Sequence, residues 1–69
     1  MKSIKRSLGN RIKLLRQQQG LTLEKLAFVS DLAKGNLSEI EKGQIDPKLT
    51  TLSKISEGLG ISLKELVDF

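Results

Sequence analysis

Apolar residues recur every three or four positions along most of this 69-residue chain, which is the spacing that places them on one face of an α-helix. In the fourth predicted helix, this face carries Leu49, Leu52, Ile55 and Leu59. No segment alternates apolar and polar residues as a half-buried strand does, and Phe28 and Phe69 are the only aromatic residues. The pattern therefore predicts an all-α fold.

Residues that start and stop helices divide the pattern into five segments. Gly20, Gly43 and Gly60 each follow an apolar-periodic segment, and we expect them to end helices. Thr22 is expected to cap the second helix, and Ser62 to Glu65 reads S-x-x-E, a capping box. The predicted helices run from about Ile4 to Gln19, from after Thr22 to near Ser30, from Ala33 to Glu41 and from Leu49 to Gly60, and a short fifth helix opens at Ser62.

The second and third helices are the most informative part of the chain, the segment TLEKLAFVSDLAKGNLSEIEKG from Thr22 to Gly43. Two short helices, each with one apolar face, are separated there by a tight polar break. This is the sequence form of a helix-turn-helix. In such a unit the second helix can lie in the major groove of DNA, with side chains of its first turn facing base edges.

The composition restricts the class of protein. The chain has no Cys and no His, so disulfides, thiol chemistry and the usual zinc ligands are excluded, and we predict no metal and no cofactor. A reducing cytoplasm is the expected location. No apolar run reaches the roughly 20 residues of a membrane span. We expect one domain, residues 1–69, with little room for a catalytic cleft.

Charge is distributed unevenly along the chain. The formal net charge is +4, and no acidic residue precedes Gly20. Six basic residues do precede it: Lys2, Lys5, Arg6, Arg11, Lys13 and Arg16. A basic N-terminal third fits a polyanion such as DNA, whose phosphates attract Lys and Arg. These charges can equally serve only to keep a helix soluble.

Several separated motifs carry a resemblance to a known family. They are GNRIKLLRQQQGLT, LEKLA, LSEIEKG, the lone Pro47 before LTTLSKI, and GLGISLKEL. In this order and spacing the chain, from about Ile4 to Phe69, resembles the DNA-binding domain of phage repressors and Cro proteins, the Xre family. The resemblance implies a compact all-α domain of five helices, with the helix-turn-helix formed by helices 2 and 3.

The resemblance places the recognition helix at about residues 33–41. It implies base contacts from five positions: Lys34, Gly35, Asn36, Ser38 and Glu39. Lys34 can donate to guanine or to a phosphate, and Asn36 can pair with adenine or contact a phosphate. Glu39 either accepts from cytosine or pairs with Lys42. Gly35 either lets the backbone approach DNA or is tolerated because it lies in the first turn, where glycine costs little.

Other positions are implied to hold the domain on DNA or to hold it together. The implied phosphate contacts are Asn10, Arg11, Thr22, Lys42 and Lys48. Arg16 and Glu41 are implied to form a partly buried ion pair between helices 1 and 3. Two positions depart from the family. Leu23 stands where Gln is common, and Ala33 stands where Ser or Thr caps helix 3, so that this cap is lost unless Asp31 supplies it.

The function predicted from the sequence is sequence-specific binding of double-stranded DNA by a transcription regulator, most simply a repressor on a palindromic operator. A homodimer is expected, with Leu63, Val67 and Phe69 either in the dimer seam or closing the core of the monomer. A phage repressor, an antitoxin and a restriction-modification controller would look alike. A protein-interaction module that keeps the fold is the alternative. An enzyme is disfavoured, because Glu39 and Glu41 point to different faces.

Overall fold

The computed structural model describes residues 3–69, so Lys2 of the basic N-terminal third lies outside the described part. Five helices and no strand occur in residues 3–69, and the predicted all-α fold is confirmed. The helices are α1 Ile4–Gln18, α2 Leu23–Val29, α3 Lys34–Glu41, α4 Leu49–Leu59 and α5 Leu63–Leu66. Their bounds differ from the sequence prediction by about one residue, which is the ordinary uncertainty of helix ends.

Two of the predicted caps are present, and two helices, α3 and α4, begin without a side-chain cap. The Thr22 hydroxyl accepts a hydrogen bond from the backbone N–H of Lys25 at 3.1 Å. Ser62 and Glu65 form the full capping box at the start of α5. Ala33 is the N-cap of α3 and makes no side-chain hydrogen bond to the helix, and Asp31 does not replace it. The first turn of α3 therefore has no side chain satisfying its backbone N–H groups.

Four residues with left-handed backbone follow the ends of helices, and one of them forms the tight turn between α2 and α3. Gly20, Gly43 and Gly60 follow the ends of helices as predicted, and all three are left-handed, with φ of 69°, 72° and 70°. Asp31 takes the same conformation, with φ of 56°, and it ends α2. The N–H of Leu32 then donates to the Ala27 carbonyl at 2.8 Å. Asp31 thus forms the turn of the helix-turn-helix instead of capping α3.

The core lies between all five helices. Its buried apolar residues are Leu8, Ile12, Leu26, Ala27, Leu37, Ile40, Ile55, Leu59 and Leu66. Leu23 packs against this cluster, which accounts for an apolar residue at that position. Leu49 does not pack there. Its side chain is 68% exposed, so its predicted place on the inward face was wrong, because the first turn of α4 extends beyond the core cluster.

The helices pack so that α3 keeps one side uncovered. Helix α1 contacts α3, α2 contacts both α3 and α4, and α4 contacts α5. Within residues 3–69, no helix is long and apolar enough to cross a membrane. The same residues include no group of three or more His, Cys, Asp or Glu side chains that could hold a metal ion.

Candidate nucleic-acid interface

Helix α3 has one buried side and one side turned to solvent. Leu37, Ile40 and Glu41 are buried on its inner side. The outer face of α3 is formed by Lys34, Gly35, Ser38, Glu39 and Lys42. Four of these five residues are exposed and Ser38 is half-buried. Five residues for which sequence and resemblance imply DNA contacts therefore lie together on one uncovered helical surface.

Two grooves border this outer face. The first groove lies between α1, α2 and α3 and is lined by Lys13, Arg16, Leu23, Ser38, Glu41 and Lys42. The second groove lies between α3 and the segment leading into α4, and it is lined by Asn36, Ile40, Ile45, Asp46, Pro47, Lys48 and Thr51. Each groove thus carries lysine at the border of α3, where phosphates would flank a helix inserted in the major groove. Asn36 lies in the second groove, half-buried and beside Lys48.

Lys13 is a candidate phosphate contact that the sequence prediction missed. Its side chain is exposed and lines the first groove with Lys42. The spacing of α1 contains the signal, because Gly9, Lys13 and Arg16 are separated by four and three residues and so share one side of a helix. Gly9 packs against the carbonyls of Ile40 and Glu41, which turns this side of α1 toward α3.

Asn10 and Arg11, both predicted phosphate contacts, are not brought to the outer face of α3. They line a third groove together with Ser7, Leu14, Asp68 and Phe69. The Arg11 guanidinium donates to the Glu65 carbonyl at 2.9 Å and so joins α1 to α5. Residues two apart on a helix differ in direction by about 200°. Arg11 consequently faces α5 while Lys13 faces α3, and we replace Arg11 by Lys13 as the candidate contact.

Arg16 and Glu41 form the ion pair between α1 and α3 that the resemblance implies. Arg16 Nε donates to Glu41 Oε2 at 2.8 Å, and Nη2 donates to Oε1 at 3.0 Å. A third donor, Nη1, bonds the Leu21 carbonyl at 2.9 Å. The side chains are only 12% and 7% exposed, and the hydrogen bond to Glu41 raises the pKa of Arg16. This two-bond geometry fixes how α3 is presented, because it ties the inner side of that helix to α1.

Lys34 is held at the start of α3 by an ion pair with α2. Its Nζ lies 2.8 Å from Glu24 Oε1, and the hydrogen bond from Lys34 lowers the pKa of the Glu24 carboxyl. Glu39, by contrast, does not form the alternative ion pair with Lys42 in the described part of the chain. The outer face of α3 therefore presents an unpaired carboxylate beside Lys42 and a paired ammonium at Lys34.

The remaining predicted residues are divided between two sides of the molecule. Thr22 is exposed at the start of α2, next to Leu23 of the first groove. Leu63 packs against the core, whereas Val67 and Phe69 are 42% and 58% exposed at the end of α5. Leu14, also half exposed, lines the third groove with Phe69. The third groove thus carries two exposed apolar side chains, Leu14 and Phe69, among polar ones, and it is separate from α3.

Comparison with known proteins places this arrangement in a family. A family model described as helix-turn-helix matches residues 12–66. The chain belongs to the helix-turn-helix family. It is 34% identical over 67 residues to the HTH-type transcriptional regulator SutR of Escherichia coli strain K12, covering 97% of this chain and 38% of SutR. It is 43% identical over 67 residues to the control protein C.MunI of Mycoplasma sp, covering 96% and 90% of the two chains.

A solved structure gives the same assignment. The restriction-modification controller protein C.AhdI from Aeromonas hydrophila matches with a TM-score of 0.88 at 34% identity, over 90% of this chain and 94% of that one. The predicted resemblance to the Xre family is confirmed. This helix-turn-helix protein is a DNA-binding transcription regulator, and it spans most of the two controller proteins but less than half of SutR.

Proposed function

We propose that residues 1–69 act as one unit that binds a palindromic operator as a homodimer and represses transcription from it in the cytoplasm. The observation that carries this proposal is the uncovered outer face of α3, with a lysine-bearing groove on each side. Such a helix fits the major groove of DNA, while lysines beside it meet the phosphates. The role is binding and not catalysis, since Glu41, the buried carboxylate at α3, is already paired with Arg16.

The side chains have separate tasks in this proposal. Lys34, Ser38 and Glu39 face the bases, and Asn36 contacts a base or the adjacent phosphate from the second groove. The phosphate contacts are Thr22, Lys13, Lys42 and Lys48. Gly35 contributes no side chain. The positive charges supply affinity for any DNA, and the polar groups at the first turn supply the discrimination between sequences.

A second candidate is narrower. The restriction-modification controller C.AhdI and the control protein C.MunI are matched over 94% and 90% of their lengths. A controller of a restriction-modification system would have its operator beside the genes of such a system. Selection of bound sites from a random DNA pool gives the operator sequence, and its position in the genome separates this candidate from a phage repressor or an antitoxin.

The proposal is tested by affinity measurements across a salt series on the selected operator and on a random duplex. Lys13→Gln should weaken binding to both and reduce the slope of log affinity against log salt by about 0.9 for each bound subunit, because each copy loses one phosphate contact. Lys64→Gln, a matched loss of one exposed lysine on α5, should leave both slopes unchanged. Asn36→Ala should weaken operator binding more than random binding. Absence of DNA binding at low salt would overturn the proposal and leave the protein-interaction module.

A further inference from the structure

The ion pair between Lys34 and Glu24, at the start of α3, contributes little to the stability of the fold. Lys34 and Glu24 are 58% and 74% exposed, although Nζ and Oε1 lie only 2.8 Å apart. Exposed pairs contribute little to stability because solvent screens them and both side chains lose freedom. The pair also joins the outer face of α3 to α2 at the point where the helix would meet the bases. Its position therefore suggests a role in recognition.

Lys34 is the only charged residue in the first turn of α3. Gly35, which follows it, has no side-chain donor, and Asn36 lies in the second groove. On the outer face, contacts from the first turn to base edges therefore depend on Lys34. A contact that fixes where its ammonium lies therefore affects sequence discrimination.

A lysine side chain without a partner discriminates poorly between base sequences. Its ammonium is a point charge on a flexible stem, and it is attracted to phosphates whatever the bases are. Pairing with a carboxylate occupies one of its three donors, limits its position and neutralises much of its charge. The two remaining donors can still bond base acceptors such as guanine O6 and N7, which depend on position more than on net charge.

We propose that Glu24 is a positioning residue for sequence recognition, which holds Lys34 over the base edges and weakens its attraction to phosphate. This inference rests on the proposed function, because it requires α3 to lie against the bases. Glu24 acts through Lys34 and need not touch DNA itself.

The test uses Glu24→Gln, which keeps the shape of the side chain and removes its charge. Affinity is measured on the selected operator and on a random duplex of equal length across a salt series. Released Lys34 should contact phosphate, so random DNA should bind more tightly, with a slope steeper by about 0.9 for each bound subunit. The ratio of operator to random affinity should fall about tenfold for each bound subunit, within the range of one lost base contact.

Two controls separate positioning from bulk charge. Glu57→Gln removes an exposed carboxylate on α4 and should raise both affinities alike, leaving their ratio unchanged. In a Lys34→Met background, Glu24→Gln should no longer alter the ratio, because the side chain through which it acts is gone. Thermal unfolding of each variant shows that the fold is retained.

The outcomes separate failure of the positioning role of Glu24 from failure of the proposed function on which it rests. Wild-type protein that selects an operator, combined with an unchanged ratio for Glu24→Gln, would overturn the positioning role and leave the proposed function standing. A ratio that falls as much in the Lys34→Met background would also overturn it. Wild-type protein that binds no DNA would overturn the proposed function itself.

Discussion

Gly9 and Gly35 are both helical glycines, but a side chain would meet different surroundings at each. A Cβ built at Gly9 would lie 2.5 Å from the carbonyl oxygens of both Ile40 and Glu41. A Cβ built at Gly35 meets nothing within 4 Å. Glycine at position 9 therefore lets α1 cross the end of α3 closely, whereas glycine at position 35 has no packing role within the domain.

These surroundings predict opposite effects of one added methyl group. Gly9→Ala should lower the free energy of unfolding by about 1–3 kcal/mol, because backbone atoms must move apart. Gly35→Ala should raise it by up to about 1 kcal/mol, through helix propensity alone. Urea denaturation of the two variants measures both changes. A Gly9→Ala variant as stable as the wild type would contradict the close crossing. Loss of DNA affinity in a stable Gly35→Ala variant would show that DNA approaches α3 too closely for a side chain at position 35.

Single residues also show where sequence reasoning succeeds. Gly43 was recognised because it follows a periodic apolar segment, and the left-handed backbone there is a local property that glycine permits. Asp31 was considered only as a cap, although it takes the same left-handed conformation at the end of α2. A non-glycine residue adopts it rarely, and the packing of α2 against α3 imposes it. That packing is not visible in the sequence around position 31.

Helices α3 and α4 both begin without a side-chain cap, and of the two α3 is the one that forms the candidate interface. Its N-cap, Ala33, already has the extended backbone of a capping residue, with φ of −69° and ψ of 140°, but has no side-chain acceptor. Ala33→Ser should therefore raise the free energy of unfolding by about 1 kcal/mol. Thr22→Ala, which removes the cap that α2 has, should lower it by a similar amount. If Ala33→Ser leaves the free energy of unfolding unchanged, the backbone N–H groups in the first turn of α3 already have hydrogen-bond partners in solution.

The helices also explain why the sequence predicts which residues share the outer face of α3 but does not predict which residues line its borders. The apolar stripe of α1, with Leu8 and Ile12 buried, predicts which side of the helix faces inward. It does not predict that α3 packs on one flank and that α5 lies on the other. Arg11 and Lys13 are both basic and two residues apart, so only the tertiary arrangement separates the residue near α3 from the residue near α5.

At the scale of the whole molecule, the two exposed phenylalanines make the dimer testable. A single domain reads few base pairs, and a symmetric pair would place two α3 helices about 34 Å apart, one turn of DNA. Phe69 lies with exposed Leu14 in the third groove, between α1 and the residues after α5, whereas Phe28 is 79% exposed on α2. Both carry a similar apolar area, but only Phe69 belongs to the proposed seam.

If the chain is a homodimer through this seam, its unfolding temperature should rise with protein concentration, because association stabilises the folded chain. Phe69→Ser should abolish that dependence and give a monomer in sedimentation experiments. It should also weaken binding to the full palindrome far more than binding to an isolated half-site, since α3 itself is unchanged. Phe28→Ser, the matched control, should keep both the concentration dependence and the preference for the palindrome. Equal behaviour of the two variants would place the dimer contact elsewhere, and a concentration-independent wild type would exclude the dimer.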